Sequence, residues 1–520
     1  MKKNFLIWII TALLIFSLGY YLRAYIPLHK DLPLSPYEAF TSKYENTMFD
    51  TGPALDYKDK SIKYPTSYIL GNLLNPLFGG WYLVYILGAI VIFFLGKEVS
   101  GKALGGGLSF FVYAIAGENL LQYMRGIGNS GVGYVFMWSS LLFFLRYLKK
   151  RDNINMILFV IVSILALTSY HTGATALIML LGGLILSTLY SSKLDKKIVV
   201  SFLGLLVFYL LWLIVFDNSQ VIFIKNAISL MSYLEIAIIF FIIILFLGSL
   251  FLVSKNKFLQ SEYISLLLLI PSAFLIFSKV NFFGWFLRIG VANYYVSAIT
   301  LNNYIAQALL LHSYVFLILP LFFRRKIKYE KFFLRGWLIG LALVFVGLIL
   351  ENFYARIFDY SFPLMFVLFG LYWTKNTKFR NIVVPATIVL LVASQFMIYN
   401  DPFSMRRYYN NEEVESAKLI IEMDLKGTFA SDLRTAALFS YLGKKDIMFY
   451  NEDELHRNIF YEYDQKELDV DYIILTESMR YIVYGLNFET NPLDDLVFNF
   501  YKNNFEEVYN DGVSFVYKIR

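Results

Sequence analysis

Thirteen apolar stretches divide the first 400 residues, and lysines and arginines gather in alternate gaps between them. Clustered positive charge beside a span resists translocation, so each basic gap is expected on the cytoplasmic side. The clusters are Lys2 and Lys3; Lys97 and Lys102; Lys149, Lys150 and Arg151; Lys193, Lys196 and Lys197; Lys255 and Lys257; Arg324, Arg325, Lys326 and Lys328; and Lys375, Lys378 and Arg380. The other gaps are aromatic, rich in Asn and Asp, and poor in clustered positive charge, which puts them outside.

A membrane span takes about 20 apolar residues. The stretches read as spans lie near 5–22, 80–96, 103–117, 131–148, 154–169, 174–190, 198–216, 233–253, 261–278, 303–323, 332–350, 358–373 and 381–399. With 58% hydrophobic and 16% charged residues, the chain departs from soluble proteins in the way such spans require. The apolar run after Met1-Lys2-Lys3 continues through Leu22 without a small-residue cleavage pattern, so it reads as a retained first span. An odd number of spans and a cytoplasmic N-terminus then put the C-terminus outside. The fold class expected is a polytopic α-helical membrane protein of about thirteen transmembrane helices with a C-terminal extracytoplasmic α/β domain.

Charge divides along the same line. Residues 401–520 carry a formal charge of −10 and the remainder +17, out of a total of +7. The basic surplus sits in short gaps and serves topology, so it gives no argument for nucleic acid. There is no cysteine, which excludes disulfides and thiolate metal sites.

Two domains follow, a transmembrane part over 1–400 and a soluble part over 401–520. The transmembrane part has a large first outer loop over about 23–79, and loops of that length are usually functional. Residues 36–48 fit an interfacial helix with Tyr37, Phe40, Tyr44 and Met48 on one side. In the soluble part, "NEEVESAKLIIEMD" has helical spacing, "GTFASD" reads as a strand, and "DLRTAALFSYLG" as a helix closed by Gly443. "DIMFY" and "VDYIILT" read as buried strands, and "EEVYNDGVSFVYKI" as a hairpin turning at Asp511-Gly512.

This topology gathers polar residues at the outer ends of the spans. Glu38, Glu45, Asp50, Asp56 and Asp59 come from the first loop, and Glu118 and Arg125 from the second. His171 lies in the hinge "TSYHTGATA", Arg288 in "GWFLRIG", and Arg356 and Asp359 in "ENFYARIFDY". Outside cations are scarce, and those present suit the phosphate or diphosphate of a lipid-linked substrate, with a loop carboxylate as base toward an acceptor. The competing reading is solvated loop acids, arginines that snorkel to lipid head groups, and a helix-end hydrogen bond for His171.

At this point the chain resembles the GT-C superfamily of membrane glycosyltransferases, most nearly the catalytic subunit of oligosaccharyltransferase and its archaeal relatives. Ser35-Pro36 in "SPYEAF" and Tyr64-Pro65 in "KYPTS" stand at the spacing of that family's Asp-Pro-aromatic and Tyr-Pro motifs. The segment "NLLQYMRGIGNSG" resembles the family's stretch of Arg, Gly and acids after the third span, with Arg125 retained and Asn129 and Ser130 at expected acid positions. The family's first-loop acid falls on Ser35, leaving Glu38 or Asp50 to supply the carboxylate. The acceptor-sequon tract "WWDYG" has no counterpart in the tail.

The resemblance implies an inverting transfer of a sugar or small glycan from a polyprenyl- or dolichyl-phosphate-linked donor to a glycan, lipid or protein acceptor on the outer face. In that reading Glu38 or Asp50 is the base, and Arg125, His171, Arg288 and Arg356 hold the donor phosphate, with Asp56, Asp59 and Glu118 as further candidates. Membrane lipids are the other partners. No cofactor is fixed by the resemblance; the carboxylates leave room for a divalent cation, Mg or Mn, and metal-dependent and metal-free chemistry both stay open. Two readings stay open beside it: a noncatalytic relative that binds lipid-linked glycans or scaffolds a complex, motivated by Ser35 and Asn129, and a transporter of lipid-linked substrates.

Overall fold

A computed structural model describes residues 81–115, 129–169, 171–190, 195–216, 329–350 and 357–399. In the C-terminal part it describes 409, 411–443, 447–449, 470–480, 483–484, 489–490, 493 and 495–519. The expected spans near 5–22, 233–253, 261–278 and 303–323 lie outside these residues, as does the first outer loop.

The apolar runs within the described residues form helices α1 (Trp81–Ser100), α2 (Ala103–Ile115), α3 (Asn129–Lys150), α4 (Asn153–Leu167) and α5 (His171–Tyr190). They continue as α6 (Lys196–Phe216), α7 (Tyr329–Leu350), α8 (Ile357–Lys375) and α9 (Arg380–Tyr399). Each coincides with a stretch read as a span. By length and hydropathy together, Lys196–Val215 is the one helix among the described residues able to cross a membrane, at a mean hydropathy of 2.8. Shorter apolar segments run over Ala103–Ile115, Asn153–Leu167, Ala174–Ser187, Phe332–Val344 and Arg380–Val392. Among apolar helices, hydrophobic contrast between faces is weak, and packing rests on close approach at small residues.

The antiparallel pair α5 and α7 illustrates this. A Cβ on Gly183 would overlap the Gly340 backbone, one on Gly340 would overlap Leu180, and one on Gly336 would overlap Leu184. Where the helices meet near their other ends, the Arg335 guanidinium is buried and donates from Nε to Ser187 Oγ at 3.0 Å. Gly370 of α8 approaches Gly105 and Ser109 of α2 in the same way. Midway along the bundle, Ser140 of α3 and Ser163 of α4 share a buried hydrogen bond at 2.6 Å.

The C-terminal part is a layered α/β unit. Its elements are α10 (Asn411–Glu422), β1 (Phe429–Ser431), α11 (Leu433–Tyr441), β2 (Ile447–Phe449) and β3 (Tyr472–Thr476). After a 3-10 turn at Glu477–Arg480 come β4 (Val483–Tyr484), β5 (Glu489–Thr490), α12 (Asp495–Asn504), β6 (Glu506–Asn510) and β7 (Ser514–Lys518). The main sheet has the order β2-β1-β3-β7-β6, with β1 parallel to β2 and β3, and β7 antiparallel to β3 and β6. β4 and β5 form a separate antiparallel pair.

Strand alternation sorts the core into two layers. Ile473, Leu475 and Tyr517 pack with Val497, Phe498 and Tyr501 of α12. Tyr472, Ile474 and Val516 pack on the other face with Val414, Ala417 and Ile420 of α10 and Leu438 and Phe439 of α11. Asp432 caps α11 by accepting from Thr435 N at 2.9 Å, and Gly443 ends it at φ 111°. The β6–β7 hairpin turns on Asp511, whose Oδ1 accepts from Val513 N and Ser514 N, with Gly512 at φ 82°.

Candidate functional site

Two ends of the helical bundle are distinguished by their chemistry. At one end, Lys149 Nζ lies 3.3 Å from both Glu98 and Glu330, and Arg146 Nε lies 3.3 Å from Glu98. The same end carries the Arg151–Asp195 ion pair, the Tyr147 hydroxyl donating to Asp195 at 2.8 Å, and Lys197 Nζ donating to Asn153 at 3.0 Å. These contacts bring together the C-terminal end of α1, the C-terminal end of α3, and the N-terminal ends of α4, α6 and α7. Basic gaps far apart in sequence therefore share one end of the bundle.

Two aspartates there are held ionised. Asp152 has its carboxyl below the usual range because the Asn155 backbone N–H donates to it, which also caps α4. Burial alone pushes Asp195 up, but the Tyr147 hydroxyl, the Lys197 amide and Arg151 outweigh it, so its carboxyl is lowered. Asp195 thereby caps α6 through Lys197 N at 2.9 Å.

The opposite end carries the other set of helix junctions. α2 ends at Ile115 and α3 begins at Asn129; α4 ends at Leu167 and α5 begins at His171; α7 ends at Leu350 and α8 begins at Ile357. The segments that carry Glu118, Arg125 and Arg356 thus join the bundle at the end remote from the lysines, and α1 enters from that end after the first loop. Glu38, Asp50, Asp56, Asp59, Glu118, Arg125, Arg288 and Arg356 themselves lie outside the described residues. Backbone is described for His171, the first residue of α5, and for Asp359 in the first turn of α8; their side chains lie outside the description.

Beneath these junctions lies a buried aromatic layer. Tyr113 of α2 meets Trp138 of α3 edge-on at 5.9 Å and Phe366 of α8 at 6.0 Å. Tyr134 stacks on Trp138 at 6.1 Å and meets Tyr360 of α8 edge-on at 5.5 Å. Gly88 of α1 leaves room for the Tyr113 hydroxyl, which a Cβ there would displace. Four helices, α1, α2, α3 and α8, meet in this layer. Beside them, Thr175 of α5 and Tyr209 of α6 share a hydrogen bond at 2.5 Å, one turn into the helix that His171 opens. The signal for this layer was the placement of Tyr113, Tyr134 and Tyr360 within a few residues of outer span ends, lost among 50 Phe and 40 Tyr.

Among the described residues, no three His, Asp or Glu side chains come together as a metal site.

No family model matches the chain, and no curated protein matches it. Among solved structures, it is similar in fold to the archaeal oligosaccharyltransferase AglB from Archaeoglobus fulgidus, in complex with an inhibitory peptide and a dolichol-phosphate. The likeness has a TM-score of 0.53 at 13% identity and covers 92% of this chain and 70% of that one. The likeness is one of fold: in this chain, a helical bundle followed by a C-terminal part with a sheet.

Proposed function

We propose that the chain is a membrane glycosyltransferase that moves a sugar or small glycan from a polyprenyl- or dolichyl-phosphate-linked donor to an acceptor on the outer face. The observation that carries this reading is the fold likeness over 92% of the chain to a glycosyltransferase solved with dolichol-phosphate. The common end at which the segments of Glu118, Arg125, His171 and Arg356 leave the bundle is consistent with it.

In this reading the N-terminus is cytoplasmic, and the C-terminal domain lies outside with the active face. The donor enters from the outer leaflet with its phosphate among Arg125, Arg356, His171 and Arg288. Glu38 or Asp50 takes the proton from the acceptor as the acceptor attacks the anomeric carbon opposite the phosphate, inverting the centre. The C–O bond to phosphate breaks, and the electron pair leaves on the lipid phosphate. Its growing charge is what the cations stabilise, and preorganised charge in a water-poor site is usually the largest catalytic term. The aromatic layer of Tyr113, Tyr134, Trp138 and Tyr360 gives these segments a rigid base.

The test is sugar transfer by purified full-length chain carrying Glu38→Gln, Asp50→Asn or both. Loss of at least about a hundredfold in the rate, with donor binding retained, is expected for removal of a general base. Full activity in the double variant would overturn the base assignment.

A further inference from the structure

α4 and α6 run parallel from the basic end, joined along a seam where Lys197 Nζ meets Asn153 and Ser201 Oγ meets Met156 Sδ at 3.4 Å. At about 100° per residue, Ile154 and Ile157 lie to one side of the seam residues Asn153 and Met156. Val200 is offset by a similar angle, in the opposite sense, from Lys197 and Ser201. Because the helices are parallel, these opposite offsets bring both sets to the same side of the pair. All three are exposed, Ile154 at 71% and Val200 at 69%, so apolar side chains line that side of the pair.

At the same end of the pair stand Lys196 and Lys197 in the first turn of α6 and Lys150 at the end of α3, all exposed. Of the nearby carboxylates, Asp152 caps α4 and feels the charge of Lys150, and Asp195 binds Tyr147, Arg151 and the α6 N-terminus; against these two stand Lys150, Arg151, Lys196 and Lys197. The head of the seam therefore carries surplus positive charge directly above apolar wall. Soluble anions complement the charge alone, whereas an anionic lipid complements both parts.

We propose that the α4–α6 seam is a binding site for an anionic phospholipid of the cytoplasmic leaflet, its phosphate among the three lysines and its acyl chains along Ile154, Ile157 and Val200. The inference rests on the membrane embedding assumed above and not on the transfer chemistry. Lysines near a membrane surface attract anionic lipid by about 1 kcal/mol each, so the three together favour it on the order of a hundredfold over a zwitterionic lipid.

The experiment is native mass spectrometry of the full chain, released from detergent with equimolar phosphatidylglycerol and phosphatidylcholine of matched chains. The wild type is expected to retain phosphatidylglycerol selectively. The variant K150Q/K196Q/K197Q is expected to lose that selectivity by on the order of a hundredfold while binding phosphatidylcholine as before and melting unchanged. Ile157→Asn is expected to weaken both lipids. Unaltered selectivity in the triple-lysine variant would overturn the proposal. Displacement of phosphatidylglycerol by equimolar glycerol phosphate would overturn it in favour of a free-phosphate site, and displacement by a polyuridine oligonucleotide in favour of nucleic acid. Retention is read with no sugar donor present, so a failure here and a failure of glycosyl transfer are separately visible.

Discussion

Lys149 of α3 and Glu330 of α7 lie 3.3 Å apart, although the chain places several helices between them. Glu98 of α1 shares the same lysine. Three helix ends from basic gaps are thereby tied at one end of the bundle, which is what alternate-gap charge requires if all those gaps face one side. The chain has no cysteine, so sidedness is directly accessible. Single substitutions Lys150→Cys and Lys197→Cys are expected to react with a membrane-impermeant maleimide only from the cytoplasmic side. Lys426→Cys, in the C-terminal part with its side chain 85% exposed, is expected to react only from outside. Labelling of all three from one side would overturn the topology.

The α5–α7 contact is set by glycine. Gly183→Val drives a branched side chain into the Gly340 backbone, and backbone cannot yield as a flexible side chain does. Overpacking of this kind costs about 1–3 kcal/mol or more, read as a lower melting temperature of the detergent-solubilised chain. Gly204→Ala, where nothing lies within 4 Å of the added Cβ, is the control expected to leave it unchanged.

In the C-terminal part, Arg434 of α11 grips Glu413 of α10 with two prongs, Nη1 to Oε1 at 2.7 Å and Nη2 to Oε2 at 2.5 Å. Ser478 receives a further bond from Nη1 at 3.0 Å, and the guanidinium lies over Tyr409 at 4.8 Å. Both charges are buried, so removing one strands the other. Glu413→Leu or Arg434→Met alone is expected to cost about 3–5 kcal/mol, and the double variant to recover much of it. Urea titration followed by proteolysis of the C-terminal part measures this; additive losses would contradict the pairing.

The Tyr517 hydroxyl is pushed up from 10.0 to about 12, first by burial and then by the charge of Glu507. A group whose pKa is raised on folding stabilises fully below its unfolded value and loses that contribution as pH rises through the folded one. Stability of the β6–β7 hairpin is therefore expected to hold to about pH 10 and to fall between pH 10 and 12. Tyr517→Phe keeps the ring in the core without an ionisable group and is expected to flatten this fall. Cleavage of 506–519 by subtilisin across that range is the measurement, and identical profiles would contradict it.

Much of this architecture was legible because its causes are local. Apolar runs ended by Lys97, by Lys149 to Arg151 and by Lys375 marked helices to within a few residues, and Asp511-Gly512 marked its hairpin. The strands around Ile473 and Phe429 were readable from short apolar runs bounded by turn residues. Helix α12 went unread: Val497, Phe498 and Tyr501 are its buried residues, set among Asn, Asp and Lys, and only the sheet face they cover makes sense of them. Arg335 fell inside the stretch read as a span over 332–350, and nothing in "FFLRGWLIG" says that Ser187 faces it. The candidate site residues other than His171 lie outside the described residues. Glu38, Asp50, Arg125 and Arg356 come from segments far apart in sequence, and their mutual distances depend on loop conformation, which periodicity does not encode.

Under the proposed function, the chain breaks the bond between a sugar and a polyprenyl phosphate. The direct measurement is incubation of purified chain in lipid nanodiscs with an isotope-labelled polyprenyl-phosphate sugar and mixed acceptors, followed by analysis of the lipid and of the new glycosidic bond. The account predicts stoichiometric release of polyprenyl phosphate and a product of inverted anomeric configuration. Donor that is bound and recovered intact, or moved between leaflets with its glycosidic bond unbroken, would contradict it.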